Sequence, residues 1–163
     1  MPKIIKDVDA KLLAAGRDLL LNGGYEKFTM REVAKACGIG LGTAYNYFPS
    51  KECFAAKIIL QDWQSVEKEM EEAVKAASTP EEQARVLFTY LKRFTAMYQN
   101  VWDQYVGQSH TSGGVLKYHD MFVKKLCAIS GLSWFVVECV LHFVTLKDVR
   151  YEDIEDIVKF LIM

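Results

Sequence analysis

Ten residues, Ile39 to Phe48, stand between a glycine and a proline. Gly38 supplies the left-handed residue that ends a helix, and Pro49 forbids the helical hydrogen bond and restricts the residue before it. A helix between them, Leu41 to Phe48, has about two turns and a length of roughly 12 Å. Just upstream, Thr29-Met30-Arg31-Glu32 has the T-x-x-E spacing of a capping box, so a second short helix is expected from Met30 to Cys37. Two short helices across a glycine turn form a helix-turn-helix unit, in which the first braces the second and the second is short enough for the major groove of DNA. Val33, Ala34, Ile39, Ala44 and Phe48 have the spacing for the seam between them. Leu41, Gly42, Thr43, Tyr45, Asn46 and Tyr47 are left facing outward. Threonine, asparagine and tyrosine donate to phosphate oxygens, and Thr and Asn also read base edges.

The rest of the chain is read as helical too. Apolar residues from Asp7 to Asn22 recur at three and four positions, and Gly23-Gly24 is expected to stop that helix. Ser50 caps a long amphipathic helix from Lys51 to about Ala77, and Thr79-Pro80-Glu81-Glu82 opens another that runs to about Tyr105. Helical spacing resumes over residues 115–130, 133–147 and 151–163. No alternating strand pattern persists. The expected fold is all-α, about nine helices, with a three-helix DNA-binding domain at 1–50 and a helical domain at 51–163.

Charge narrows the partners. Lys and Arg number 20 against 21 Asp and Glu, so any nucleic-acid surface must be local. Residues 1–52 hold 8 basic and 6 acidic side chains, the remainder 12 and 15, which permits that surface at the N-terminal end. The four cysteines lack CxxC spacing, and MPKIIKDVDAK has no apolar leader, so reduced thiols and a cytoplasmic setting are expected. The most apolar run, Leu132 to Leu146, is too short to span a bilayer, and no membrane segment is expected. His110, His119 and His142 do not combine with the cysteines at zinc-site spacing, so neither metal nor cofactor is expected. No nucleophile-and-base motif, phosphate-cradling loop or paired catalytic carboxylates mark an enzyme. The acidic run EKEMEE, Glu67 to Glu72, reads as a solvated helix face.

The run FTMREVAKACGIGLGTAYNYFPSKECF, Phe28 to Phe54, closely resembles the N-terminal signature of the TetR family of transcriptional regulators. Thr29, Val33, Ala34, Gly38, Ile39, Gly42, Thr43, Tyr45, Tyr47, Phe48, Ser50, Lys51 and Glu52 fall on the family's pattern. Gly40 stands where Ser is common, Leu41 where a polar residue is usual and Cys37 where Ala is common. The resemblance implies that Thr29 and Arg31 touch DNA at the start of the second helix. It also implies that Leu41, Gly42, Thr43, Tyr45 and Tyr47 meet groove and phosphates, and that Lys51 meets a phosphate. Lys51 and Thr29 have independent support, since each sits at a helix start where free amides attract an anion.

A single recognition helix covers about half an operator, so a homodimer is expected. The resemblance places the pairing on the two late helices, which here carry Trp134, Val137, Glu138, Leu141, His142, Ile157 and Leu161. Glu138 and His142, four apart, share a helix face and can pair. The resemblance also implies a pocket among the middle helices for a small apolar or amphipathic effector, and Trp63, Phe94, Tyr98, Trp102, Tyr105, Tyr118 and Phe122 supply its side chains. The expected function is a regulator, most simply a repressor, that releases double-stranded operator DNA on binding the effector. The alternative is a helical small-molecule binding protein without DNA affinity.

Overall fold

The computed structural model describes residues 8–101 and 112–163, with the side chains of 112–118 left out of the description. The described residues form α1 (Val8–Lys27), α2 (Met30–Cys37), α3 (Leu41–Tyr47), α4 (Lys51–Ala76), α5 (Pro80–Met97), α6 (Ser112–Ser130), α7 (Trp134–Thr145), the 3-10 turn η1 (Tyr151–Asp153) and α8 (Glu155–Ile162). No strand occurs among them.

The described residues fall into two compact units. The first holds residues 8–63 and 98–101, the second 64–97 and 112–163. The division thus lies within α4 and not at residue 50, where the sequence suggested it. The reason is packing: Phe54, Ala55 and Ile58 on the first turns of α4 are buried in the core of the first unit.

That core is aromatic at its centre. Phe54 stacks on Phe48 at a centroid distance of 4.0 Å and meets Phe28 edge-on at 5.3 Å. Gly16 on α1 lets these rings approach, since a Cβ there would lie 2.7 Å from the Phe54 ring. Leu12 and Leu20 of α1 and Met30, Val33 and Ala34 of α2 close the core. A second tie is polar. Arg17 on α1 donates through Nε to both carboxylate oxygens of Asp62 at 2.8 and 2.7 Å, and the Tyr98 hydroxyl donates to the same carboxylate at 2.7 Å. Burial and that hydrogen bond push the Tyr98 phenol well above its ordinary range.

Gly23-Gly24 breaks the helix as expected: Gly24 leaves helical geometry (φ 73°, ψ 178°), and a short second stretch of helix follows the kink to Lys27. The bend turns Tyr25 and Phe28 inward. α5 closes at Met97 and helix resumes over residues 99–101 after a turn at Tyr98, while the expected end near Tyr105 lies outside the described residues.

In the second unit α5 packs against α7 and α8, with α6 against α7. Leu87, Phe88 and Leu91 of α5 meet an apolar layer from Val123, Leu126, Val136, Val137, Val140, Val144 and Val158. The α5 start is capped from both sides: Glu82 N–H donates to Thr79 Oγ1, and Thr79 and Ser78 N–H donate to the Glu82 carboxylate. Tyr151 lies edge-on to Phe88 and donates to the Glu81 carbonyl at 3.1 Å. The acidic run is not wholly solvated. Glu67 is buried, and Lys125 Nζ meets its carboxylate at 2.5 Å, which balances the charge.

Candidate nucleic-acid interface

Three helix ends build the outer face of the first unit. Thr29 adopts extended backbone and its hydroxyl accepts from Glu32 N–H at 3.2 Å, so α2 starts where the T-x-x-E spacing puts it. Gly38 takes the left-handed conformation at φ 65°, and the N–H groups of Gly38 and Ile39 close on Lys35 and Ala34 carbonyls. This turn sends the chain into α3. Gly40 caps α3 without a side-chain bond, as a residue lacking an oxygen must.

The seam and the outer face then separate as the spacing predicts. Val33, Ala34, Ala44 and Phe48 are buried and Ile39 is half-buried. Leu41, Gly42, Thr43, Tyr45, Asn46 and Tyr47 are all exposed, with Tyr45 at 47% and Tyr47 at 46%. Each tyrosine thus leaves about half of its surface open to solvent, beside a buried Ala44. Arg31 is exposed and Thr29 half-buried on the adjoining α2 start.

Ser50 caps α4, accepting from Cys53 N–H at 3.1 Å. Lys51 follows in the first turn, half-buried, its ammonium 4.0 Å from the centroid of the Tyr25 ring. The Tyr25 hydroxyl donates to Glu52 at 3.3 Å. The Glu52 carboxyl is held below its usual range by its own backbone N–H, then by Ser50 and Tyr25, and stays an anion. Sequence reasoning missed Tyr25, because a ring-to-ammonium contact across 26 positions leaves no spacing signal.

The residues assigned to a ligand divide. Trp63 and Tyr98 belong to the first unit, Phe94 and Phe122 to the second. Tyr98 is wholly buried and its hydroxyl is committed to Asp62, while Trp63, Phe94 and Phe122 are half-buried. Trp102, Tyr105 and the Tyr118 side chain lie outside the described residues. The second unit has a groove of about 710 Å³ lined by none of these residues, with Arg85, Lys92, Arg93, Phe88 and Tyr151 among its walls. Its cations are engaged: Arg85 with Glu152 and Glu155, Arg93 with Glu69, and Lys92 with the carbonyls of Val144 and Leu146 at the end of α7.

Among the residues assigned to pairing, Trp134, His142 and Ile157 are exposed and Glu138, Leu141 and Leu161 half-buried. Val137 is a correction: at 0% exposure it lies in the core of its own protomer and has no surface for a partner. Phe135 at 68% and Phe160 at 73% are the large apolar side chains that helical spacing did not pick out. Glu138 does not meet His142; it meets His119 of α6 at 3.6 Å, and His142 lies edge-on to Phe143. Among the described residues no single helix is long and apolar enough to cross a membrane, and no group of His, Cys, Asp or Glu is placed to hold a metal.

Comparison with known proteins agrees with this geometry. Residues 12–57 match the profile of bacterial regulatory proteins of the tetR family. The HTH-type transcriptional repressor KstR of Mycolicibacterium smegmatis is 30% identical over 90 residues, which is 55% of this chain and 43% of that protein. The HTH-type transcriptional regulator UidR of Escherichia coli K12 is 38% identical over 52 residues, 32% of this chain and 26% of that one. The chain therefore spans less than half the length of these curated relatives. Among solved structures, the transcriptional regulator FadR of Bacillus subtilis, in complex with stearoyl-CoA, superposes with a TM-score of 0.65 at 16% identity, over 94% of this chain and 97% of that one. RolR without ligand gives 0.63 at 17% identity, over 93% and 89%. At these identities the likeness is one of fold. Profile and helix geometry coincide over α1 to the first turns of α4, so the segment 12–57 is similar in sequence and in fold to the bacterial regulatory proteins of the tetR family.

Proposed function

We propose that the chain is a transcriptional regulator of cytoplasmic DNA that binds an operator as a homodimer and lets it go when a small apolar or amphipathic effector binds the second unit. The observation that carries the DNA reading is the outer face of α3. Tyr45 and Tyr47 stand open to solvent there with Thr43 and Asn46, flanked by Arg31 and Lys51. Hydroxyls, an amide and two cations on one short helix and its flanks suit phosphates on either side of a major groove. Leu41, exposed among them, suits a thymine methyl or a sugar.

Dimerisation is supported by the apolar surface that α7 and α8 leave uncovered: Trp134, Phe135, Ile157 and Phe160. The two helices pack on each other, and each leaves two large apolar side chains exposed, which suits a surface that a partner covers. The effector class is supported by half-buried aromatic residues in the second unit and by the amphipathic stearoyl-CoA that the similarly folded FadR holds.

The test is electrophoretic retardation of the duplex upstream of the chain's own gene. Wild-type chain is expected to bind, and Tyr45→Ala together with Tyr47→Ala to abolish the shift while helicity by circular dichroism is unchanged. Stearoyl-CoA serves as the first effector probe, with release of the duplex expected. Equal binding by the tyrosine variant would remove α3 from the interface.

A further inference from the structure

Tyr25 sits where α1 resumes after the break at Gly24, and it is buried except for a small edge. One ring face receives the Lys51 ammonium at 4.0 Å, and the hydroxyl donates to Glu52 at 3.3 Å. Both partners lie in the first turn of α4, directly after the Ser50 cap. One side chain from α1 thus engages a cation and its neighbouring anion at once. A cation over an aromatic face keeps its N–H groups available on the side away from the ring. A lysine held this way loses less rotamer freedom when it meets an anion than one that sweeps through solvent. The hydroxyl ties the Glu52 carboxylate to Tyr25, a second anchor on the same turn.

We propose that Tyr25 is a positioning residue for DNA binding: its ring presents the Lys51 ammonium to a backbone phosphate, and its hydroxyl holds the Glu52 carboxylate beside it. The inference rests on the reading of Lys51 as a phosphate contact. No family position or spacing argument assigns Tyr25 this role; the 4.0 Å contact does. Gly24 is part of the device, because its left-handed φ of 73° is what lets α1 bend and bring the ring under α4.

The experiment is a double-mutant cycle on the full chain, read as affinity at 0.1 M salt for the tightest duplex that the wild type selects from a random 20-base-pair library. Tyr25→Leu removes the ring and is expected to weaken binding two- to fivefold, about 0.4–1 kcal/mol at 1.4 kcal/mol per tenfold. Tyr25→Phe keeps the ring and is expected to stay within twofold of wild type. In a Lys51→Ala background, Tyr25→Leu is expected to cost nothing further. Independent, multiplying losses would overturn the proposal, because a tyrosine acting through general stability weakens binding whether or not Lys51 is present. An unchanged affinity for Lys51→Ala alone would remove the phosphate contact itself, and with it the premise. Should Tyr25→Leu fail to fold, proton NMR of the wild type decides: the Lys51 Hε resonances are expected upfield of their random-coil position through the ring current, and random-coil shifts would overturn the placement.

Discussion

Tyr98 shows how far one side chain can commit a fold. Its hydroxyl donates to Asp62, which also accepts from Arg17, so three segments of the first unit meet on one carboxylate. Removing the hydroxyl leaves that carboxylate short of a donor, and Tyr98→Phe is expected to lower the unfolding free energy by about 1–2 kcal/mol, read from urea midpoints at pH 7. The same residue sets an alkaline limit. Burial, then the Asp62 bond, raise the native pKa above the ordinary value of 10.0, so the unfolded chain ionises first. Stability is whole below about pH 10 and is lost as pH rises above it. Urea midpoints between pH 8 and 11 are expected to fall for wild type and to fall less for Tyr98→Phe. Tyr151, raised by burial, keeps some decline in both. A fall of equal steepness in the two proteins would contradict the assignment. At Gly38 the cost is of backbone alone: a Cβ meets nothing within 4 Å, yet φ is 65°. Gly38→Ala is expected to cost about 1 kcal/mol through the left-handed conformation.

Among the elements, α3 is the least supported by its own sequence. Seven residues with a glycine cap make a helix that is marginal alone, so it stands on Ala44 and Phe48 packed into the seam and on Phe48 stacked over Phe54. Gly40→Ser adds a cap oxygen at a position with room for a Cβ, and a gain of a few tenths of a kcal/mol in thermal unfolding is expected. Phe54→Ala takes away the ring that Phe28 and Phe48 share, and a loss of about 3–5 kcal/mol is expected, enough to unfold the first unit. These elements were legible because breakers and caps act locally: Thr29, Gly38, Pro49 and Thr79 each mark a helix end within a residue or so of where the backbone turns. Gly24 belongs with them: its positive φ ends the regular helix at a kink, and the short stretch beyond carries Tyr25 into burial. Periodicity could not tell Val137 from Phe135. Both lie on one apolar turn, and only the packing of α5 and α6 against α7 decides which is covered. Glu67 and the Tyr25–Lys51 contact depend on pairings across 58 and 26 positions, which no local pattern encodes.

For the molecule as a whole, the open question of assembly turns on α7 and α8. Phe135→Glu with Phe160→Glu changes two side chains that are mostly exposed in the protomer, so the fold is expected to persist while the dimer is lost. Sedimentation is expected to show a single species near 18.6 kDa for the variant and about twice that for wild type; equal masses would place the pairing elsewhere. The variant is also expected to bind DNA more weakly, because each protomer presents only one α3. The central claim, that the outer face of α2, α3 and the α4 start grips duplex DNA, is tested most directly by fluorescence anisotropy of the selected duplex across salt. Each cation neutralising a phosphate contributes about −0.9 to the slope of log affinity against log salt, so Arg31 and Lys51 of two protomers give a slope of about −3 to −4. The account predicts that slope, reduced by about 2 in Lys51→Ala. A slope near zero, or a Lys51→Ala slope equal to wild type, would contradict it.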